Sequence, residues 1–178
     1  MCIRDSKKTM QNVKMRSVPQ IVSLDYIATD VVQSMQDDVI YIIGAGTTTR
    51  NIMKLLGLEY TLIGVDAVCC GKLIGKDLDE QELWSLIQDK PTKLVITAIG
   101  GQGHIFGRGN QQISPRIIRK IGMENISIVA TKEKLLSLPE RRLLTDTGDP
   151  QLDRELAGYV KVITGLNERT ICAVGLEE

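Results

Sequence analysis

Aromatic side chains are scarce in this 178-residue chain, 3% in all with one Trp and one Phe, too few for the stacking platforms that hold single-stranded nucleic acids. An excess of one charge is missing too, since 22 basic residues balance 22 acidic ones. That balance removes the attraction behind general nucleic-acid or anionic-membrane binding. No apolar run approaches a membrane span, and no basic-then-apolar signal peptide opens the chain. A cytoplasmic protein is the expectation. His104 is the only histidine, which excludes a two-histidine metal site and a histidine-based catalytic pair. The cysteines Cys2, Cys69, Cys70 and Cys172 lack CxxC spacing, and the adjacent Cys69 and Cys70 suit no ordinary disulfide. Reduced thiols are expected.

What is present is ordinary globular material, 43% apolar and 25% charged, enough for one sizeable core. Residues 1–6, MCIRDS, read like the translation of a sequencing-library adapter and are set aside. Residues 7–20 are then the remnant of an upstream element, and 21–178 a single domain. Apolar spacing predicts a helix over 21–35, a strand over 38–43, a helix over 50–56 and a β-rich run over 61–68. A helix over 80–88, a strand over 93–99, a helix over 115–121 and a strand over 125–130 follow. This alternation predicts an α/β fold, a mostly parallel sheet flanked by helices. In such folds ligands lie where the carboxyl ends of strands meet the next loops.

Three polar loops compete for that place. Gly44-Ala45-Gly46-Thr47-Thr48-Thr49 joins a strand to a helix, and its backbone N–H groups, hydroxyls and helix start suit a phosphate. Threonines that merely cap the helix would look the same. From Gly100 to Ser114 the chain reads GGQGHIFGRGNQQIS. The glycines Gly100, Gly101, Gly103, Gly107 and Gly109 allow close backbone approach, and Gln102, Asn110, Gln111 and Gln112 both donate and accept. Arg108, between two glycines, suits a phosphate held bidentately. A glycine-rich lid ended by Pro115 is the plain alternative. The third loop, Thr145-Asp146-Thr147-Gly148-Asp149, places two carboxylates about a turn, for capping or for a metal or ribose. Asp66, at the end of the 61–66 run, and Lys134 complete the candidates, as a sugar-hydroxyl partner and a phosphate contact.

Taken in order, Gly44-Ala-Gly-Thr-Thr48, Thr61-Leu-Ile-Gly-Val-Asp66, Gly100-Gly-Gln-Gly103, Phe106-Gly-Arg-Gly-Asn-Gln-Gln-Ile-Ser-Pro115, Ala130-Thr-Lys-Glu-Lys-Leu135 and Asp146-Thr-Gly-Asp149 resemble the C-terminal region of ATP-NAD kinase-like proteins of the AcoX type. The likeness spans residues 18–174. It implies ATP and NAD as substrates, Mg2+ as companion, and phosphoryl transfer to the 2′-hydroxyl of NAD to give NADP. It also implies an N-terminal lobe with a Gly-Gly-Asp-Gly-Thr motif, a string this sequence does not contain, so the chain is expected to bind ligand without completing catalysis. The runner-up role is a regulatory domain sensing a nucleotide or sugar phosphate. No nucleic-acid or membrane partner is expected, and a homo-oligomer stays open. The pair Asn167-Glu168 matches a dinucleotide-binding Asn-Glu of typical NAD kinases as a dipeptide only. The loops are more loosely similar to sugar-phosphate isomerases and deaminases, which supports a Rossmann-like α/β fold. The β-sandwich usual for NAD kinase C-terminal domains is the alternative.

Overall fold

A computed structural model describes residues 18–176; the adapter-like segment and most of the expected upstream remnant lie outside them. The chain runs α1 (Val18–Gln33), β1 (Ile40–Ile43), α2 (Thr47–Leu55), β2 (Asp66–Cys69), β3 (Lys72–Gly75), α3 (Glu80–Leu86), β4 (Thr92–Thr97) and β5 (His104–Phe106). Then come α4 (Pro115–Ile121), β6 (Ile126–Val129), α5 (Lys132–Ser137), β7 (Arg142–Thr145), α6 (Pro150–Leu156), β8 (Gly158–Gly165) and β9 (Glu168–Leu176). The strands form one sheet in the order β3-β2-β1-β4-β6-β8-β9-β7-β5. Its β1–β4, β4–β6, β6–β8, β9–β7 and β7–β5 contacts are parallel, and the other three antiparallel. The α/β reading and its mostly parallel sheet are therefore correct, and the sandwich is not what forms.

Successive side chains on a strand face opposite sides, and here each side meets its own helices. Ile40, Ile42, Leu94, Ile96, Ile128 and Val162 face α3, α4, α5 and α6, whose Leu83, Ile117, Leu135 and Leu152 are buried against them. Tyr41, Ile43, Val95, Val129 and Ile163 face α1 and α2. The α1 residues Leu24, Ile27, Ala28 and Val31 sit at the spacing of one helical face, and all are buried. Helix starts follow local chemistry. Asp79 and Glu82 form a capping box on α3, Thr131 caps α5, and Pro115 and Pro150 open α4 and α6. Among the described residues no helix is long and apolar enough to cross a membrane.

Three features depart from the sequence reading. The 61–66 run is not a strand: β2 begins at Asp66, because that carboxylate gathers Thr61 and Asp77 into an irregular turn. The 100–114 segment is not continuous loop either. His104, Ile105 and Phe106 form β5 and are buried, an apolar triplet hidden among glycines. Third, beyond residue 130, where the sequence reading assigns no helix or strand, the chain is regular, with the long β8–β9 hairpin dominating it. Because that hairpin turns the chain back, β9, β7 and β5 run opposite to β1, β4, β6 and β8 along the ladder.

Helices α3 and α4 are joined by one ionic knot. Ser114 Oγ donates to Glu80 Oε1 at 2.6 Å, Arg116 Nε donates to the same oxygen at 2.5 Å, and the guanidinium lies 4.6 Å over Trp84. The Arg116 guanidinium, with Ser114, holds the Glu80 carboxyl down at about 2 instead of the ordinary 4.5. Arg119, with the N–H groups that Asp149 caps, holds the Asp149 carboxyl down at about 2 instead of 3.8. A carboxyl depressed by folding adds stability above its unfolded value and loses it as pH falls through its folded value. Thermal unfolding from pH 7 to pH 2 should therefore show stability falling between roughly pH 4.5 and pH 2, and Glu80→Gln should blunt the fall. An acid profile unchanged by that substitution would show that the knot carries no folding energy.

Candidate functional site

The second and third loops meet. At the carboxyl ends of the parallel pair β5 and β7, Phe106 registers with Thr145, and Asp146 N–H donates to the Phe106 carbonyl at 3.3 Å. Between the two loops lies a cavity of about 310 Å³ lined by Gly107, Arg108, Gln111, Ile113, Asp146, Thr147 and Gly148. Gly107 makes the close approach possible: its φ is +93°, and a Cβ there would stand 1.8 Å from the Asp146 carbonyl oxygen. The site thus needs a residue without a side chain at that point.

The third loop is shaped from behind. Asp153 Oδ1 accepts from Thr147 N–H at 2.9 Å, and the Thr147 hydroxyl exchanges contacts with the Asp149 backbone. Asp149 itself faces away from the cavity. Its Oδ1 caps α6 through Gln151 and Leu152, and its Oδ2 pairs with Arg119 at 2.6 Å. Of the two expected carboxylates, only Asp146 reaches the cavity wall. Asn110 is buried, and its Nδ2 donates to the Ile105 carbonyl at 2.9 Å. Gly109 rests on Ile99, Gln112 is half-buried, and Ser114 is turned to Glu80.

The first loop abuts this cavity without lining it. A Cβ on Gly44 would come 3.8 Å from Ile113 Cδ1, so that glycine packs directly behind one wall residue. Gly46 is the N-cap of α2 with φ +133°, and it leans on Thr97. No threonine side chain caps the helix. Thr49 is buried and donates back to the Gly46 carbonyl at 3.0 Å, Thr48 is buried, and Thr47 is exposed. Asp66 is buried, its oxygens engaged by Thr61 and Asp77. It nevertheless sits beside Ile43 at the carboxyl end of β1, since β2 runs antiparallel to β1. Lys134 reaches across from α5 to the Gly100 carbonyl. Gly100 and Gly101 have open space around them, Gln102 is exposed, and the Gly103 carbonyl accepts from Leu144. His104 is buried within β5, and Asn167 and Glu168 form the β8–β9 turn, paired with Asp30 and Lys132.

Two shaping residues were not legible as such. Ile113 looks like a helix approach and Asp153 like an ordinary first-turn acid, so only their contacts reveal them. A larger cleft of about 480 Å³, lined by Gln36, Lys90, Lys93, Lys120 and Asn125 among others, opens at the amino ends of β1 and β4. That end is the wrong one for a ligand of an open α/β sheet. Lys120 there ends α4, and such a lysine balances the helix dipole. Among the described residues no three His, Cys, Asp or Glu side chains are grouped as a metal cage requires.

No curated protein and no solved structure matches the chain. The family model described as ATP-NAD kinase C-terminal domain matches residues 36–174, a stretch that runs from just before β1 into β9 and holds every lining residue of the cavity. The chain therefore belongs to the ATP-NAD kinase C-terminal domain family.

Proposed function

We propose that this domain holds a phosphorylated nucleotide between its 107–113 and 146–148 segments, as the ligand-binding part of an ATP-NAD kinase-like protein of the AcoX type. The observation that carries the reading is the cavity itself, with Arg108 and Gln111 on one wall and the Thr147-Gly148 turn on the other, inside the matched family region. Arg108 supplies the charge-assisted contact to a phosphate. The N–H groups at the start of α2, beyond Gly44 and Gly46, offer a second anion contact. In the complete reaction the terminal phosphoryl group of ATP passes to the adenosine ribose 2′-hydroxyl of NAD, giving NADP, and this chain contributes binding and charge compensation. Asp146 is the lone carboxylate of the lining, and one carboxylate together with substrate phosphates is a donor set that Mg2+ accepts, so Asp146 would hold the ion, which would offset phosphate charge. No step is assigned to it. One second reading is a sensor of nucleotide or sugar phosphate, since Arg108, Gln111 and the Thr147-Gly148 turn offer binding groups.

Isothermal titration of the full chain with NAD, ATP and ribose 5-phosphate separates the two. Binding of NAD or ATP is the expected result. Tight sugar-phosphate binding without dinucleotide binding would replace the kinase reading by the sensor. Arg108→Ala should weaken the phosphorylated ligand by about 1–3 kcal/mol while leaving the melting temperature nearly unchanged. Equal affinity in the variant would remove Arg108 from the site.

A further inference from the structure

At the end of the sheet opposite β7 and β5, the β2–β3 hairpin turns on two adjacent cysteines. Cys69 ends β2 and is buried, whereas Cys70 is exposed. Because Cys69 registers with Lys72 at the start of β3, Cys70 and Gly71 are the whole turn. Their φ values, +50° and +67°, are both left-handed, the type I′ arrangement that favours Asn-Gly. Backbone preference does not ask for a cysteine there. On an extended strand successive side chains point to opposite faces, which would hold neighbouring thiols apart. The left-handed Cys70 breaks that alternation, and the two sulfurs stand 3.8 Å from each other.

That separation suits a bridging atom rather than a direct bond. Disulfides span Cα atoms at least about 4.4 Å apart, while chain neighbours are held at about 3.8 Å. Two thiolates on one tetrahedral centre, at about 2.3 Å each, stand about 3.8 Å from one another. The sulfurs already have that spacing. Cys70 Sγ is also held in place, since Asp38 N–H donates to it at 3.5 Å and Asp38 Oδ1 lies 4.0 Å away. Burial, reinforced by Cys70 and Asp38 and opposed by Lys90, pushes the Cys69 thiol up. The exposed sulfur therefore reacts first and the buried one second. Among the described residues no third His, Cys, Asp or Glu completes a cage. The pair thus suits neither an ion that needs three or four protein ligands nor a hard cation that takes oxygens.

We propose that Cys69 and Cys70 form a dithiol site for a trivalent thiophilic centre that brings its own third substituent, an organic arsenical being the prototype. With an arsenoxide, R–As=O, Cys70 Sγ attacks arsenic and Cys69 Sγ then closes the ring. Two As–S bonds form, the As=O bond breaks, and the two thiol protons leave with that oxygen as water. Arsenic stays trivalent, so the step needs no oxidant or reductant. The site is separate from the cavity between the second and third loops, and it stands whether or not that cavity binds a nucleotide.

The test treats the full, reduced chain with phenylarsine oxide, washes it with 2-mercaptoethanol and reads retained arsenic by intact mass. An arsenical on one sulfur is exchanged away by a monothiol, whereas a chelate of two sulfurs resists it. One retained adduct per chain, released by 2,3-dimercaptopropanol, is the expected result. Cys70→Ser should lose that adduct while keeping its melting temperature, because the side chain is exposed. Cys69→Ala should lose it as well, and Cys2→Ser and Cys172→Ala should retain it. An adduct that washes off the parent chain would overturn the proposal. So would one that survives in Cys70→Ser or disappears in Cys2→Ser, since a different pair of sulfurs would then hold the arsenic.

Discussion

Replacing Gly107 by alanine is expected to destabilise the protein by about 2–5 kcal/mol and to close the cavity between its second and third loops, the larger part of the loss coming from backbone geometry. Two effects add. A φ of +93° is a conformation that L side chains rarely adopt. The new methyl would also stand 1.8 Å from the Asp146 carbonyl oxygen and 2.6 Å from its carbonyl carbon. Backbone cannot swing aside as a flexible side chain does, so relief requires Asp146 to leave the β5–β7 junction, where its N–H now donates to Phe106. Urea unfolding would read the stability loss and calorimetry the loss of ligand binding. Gly148→Ala is the control, because its Cβ meets open space. It should cost only the strain of its own φ of +80°, about 1–3 kcal/mol. A Gly107 variant no worse than this control would show that the two loops do not abut as described.

Asp30→Ala is expected to cost about 2–4 kcal/mol, through the tie between the first helix and the last hairpin. The Asp30 side chain is 5% exposed, and its oxygens accept from Asn167 N–H at 2.6 Å and from Arg169 at 2.8 and 3.2 Å. Breaking a buried ion pair typically costs about 3–5 kcal/mol, and the value is lowered here because Arg169, at 40% exposure, can turn to water. The Asn167 N–H loses its acceptor as well. Asn167 holds φ +54° in the tight turn between β8 and β9, so losing the carboxylate leaves that turn without its anchor. Thermal melts should show the drop, and faster amide exchange should appear first at residues 165–169. A loss below about 0.5 kcal/mol, typical of surface sites, would show that α1 is held by its apolar face alone.

How much of this was legible follows from the kind of information each feature needs. Helices α1, α3 and α4 could be read because their signals are local: apolar spacing along each and, for α4, a proline at the first turn. Strands β1, β4 and β6 showed as β-rich runs flanked by turn residues. In contrast, β5 is three residues long and surrounded by glycines, and its strand character exists only because β7 lies alongside. Asp66 could be flagged as a carboxylate at the end of an apolar run, but its burial and its place at the start of β2 could not be read. The hairpin of β8 and β9 was not read from sequence, and its consequence, that β9, β7 and β5 oppose the other parallel strands, depends on pairing partners far apart in the chain.

The chain by itself determined which pieces exist and which residues are chemically able to bind: α/β alternation, three glycine-bearing polar loops, and the motif string that places it in its family. Only the tertiary structure decided which of those loops share a cavity. An isolated bridge from Ile99 to His104 carries the β5 edge back beside the end of β4, and Gly107 lets the second loop press on the third. Asp149 is thereby left to cap a helix while Asp146 faces the cavity. The physical reason is that propensity and periodicity act within a few residues, whereas a binding site is set by long-range strand pairing and by steric fit between segments that sequence spacing does not relate.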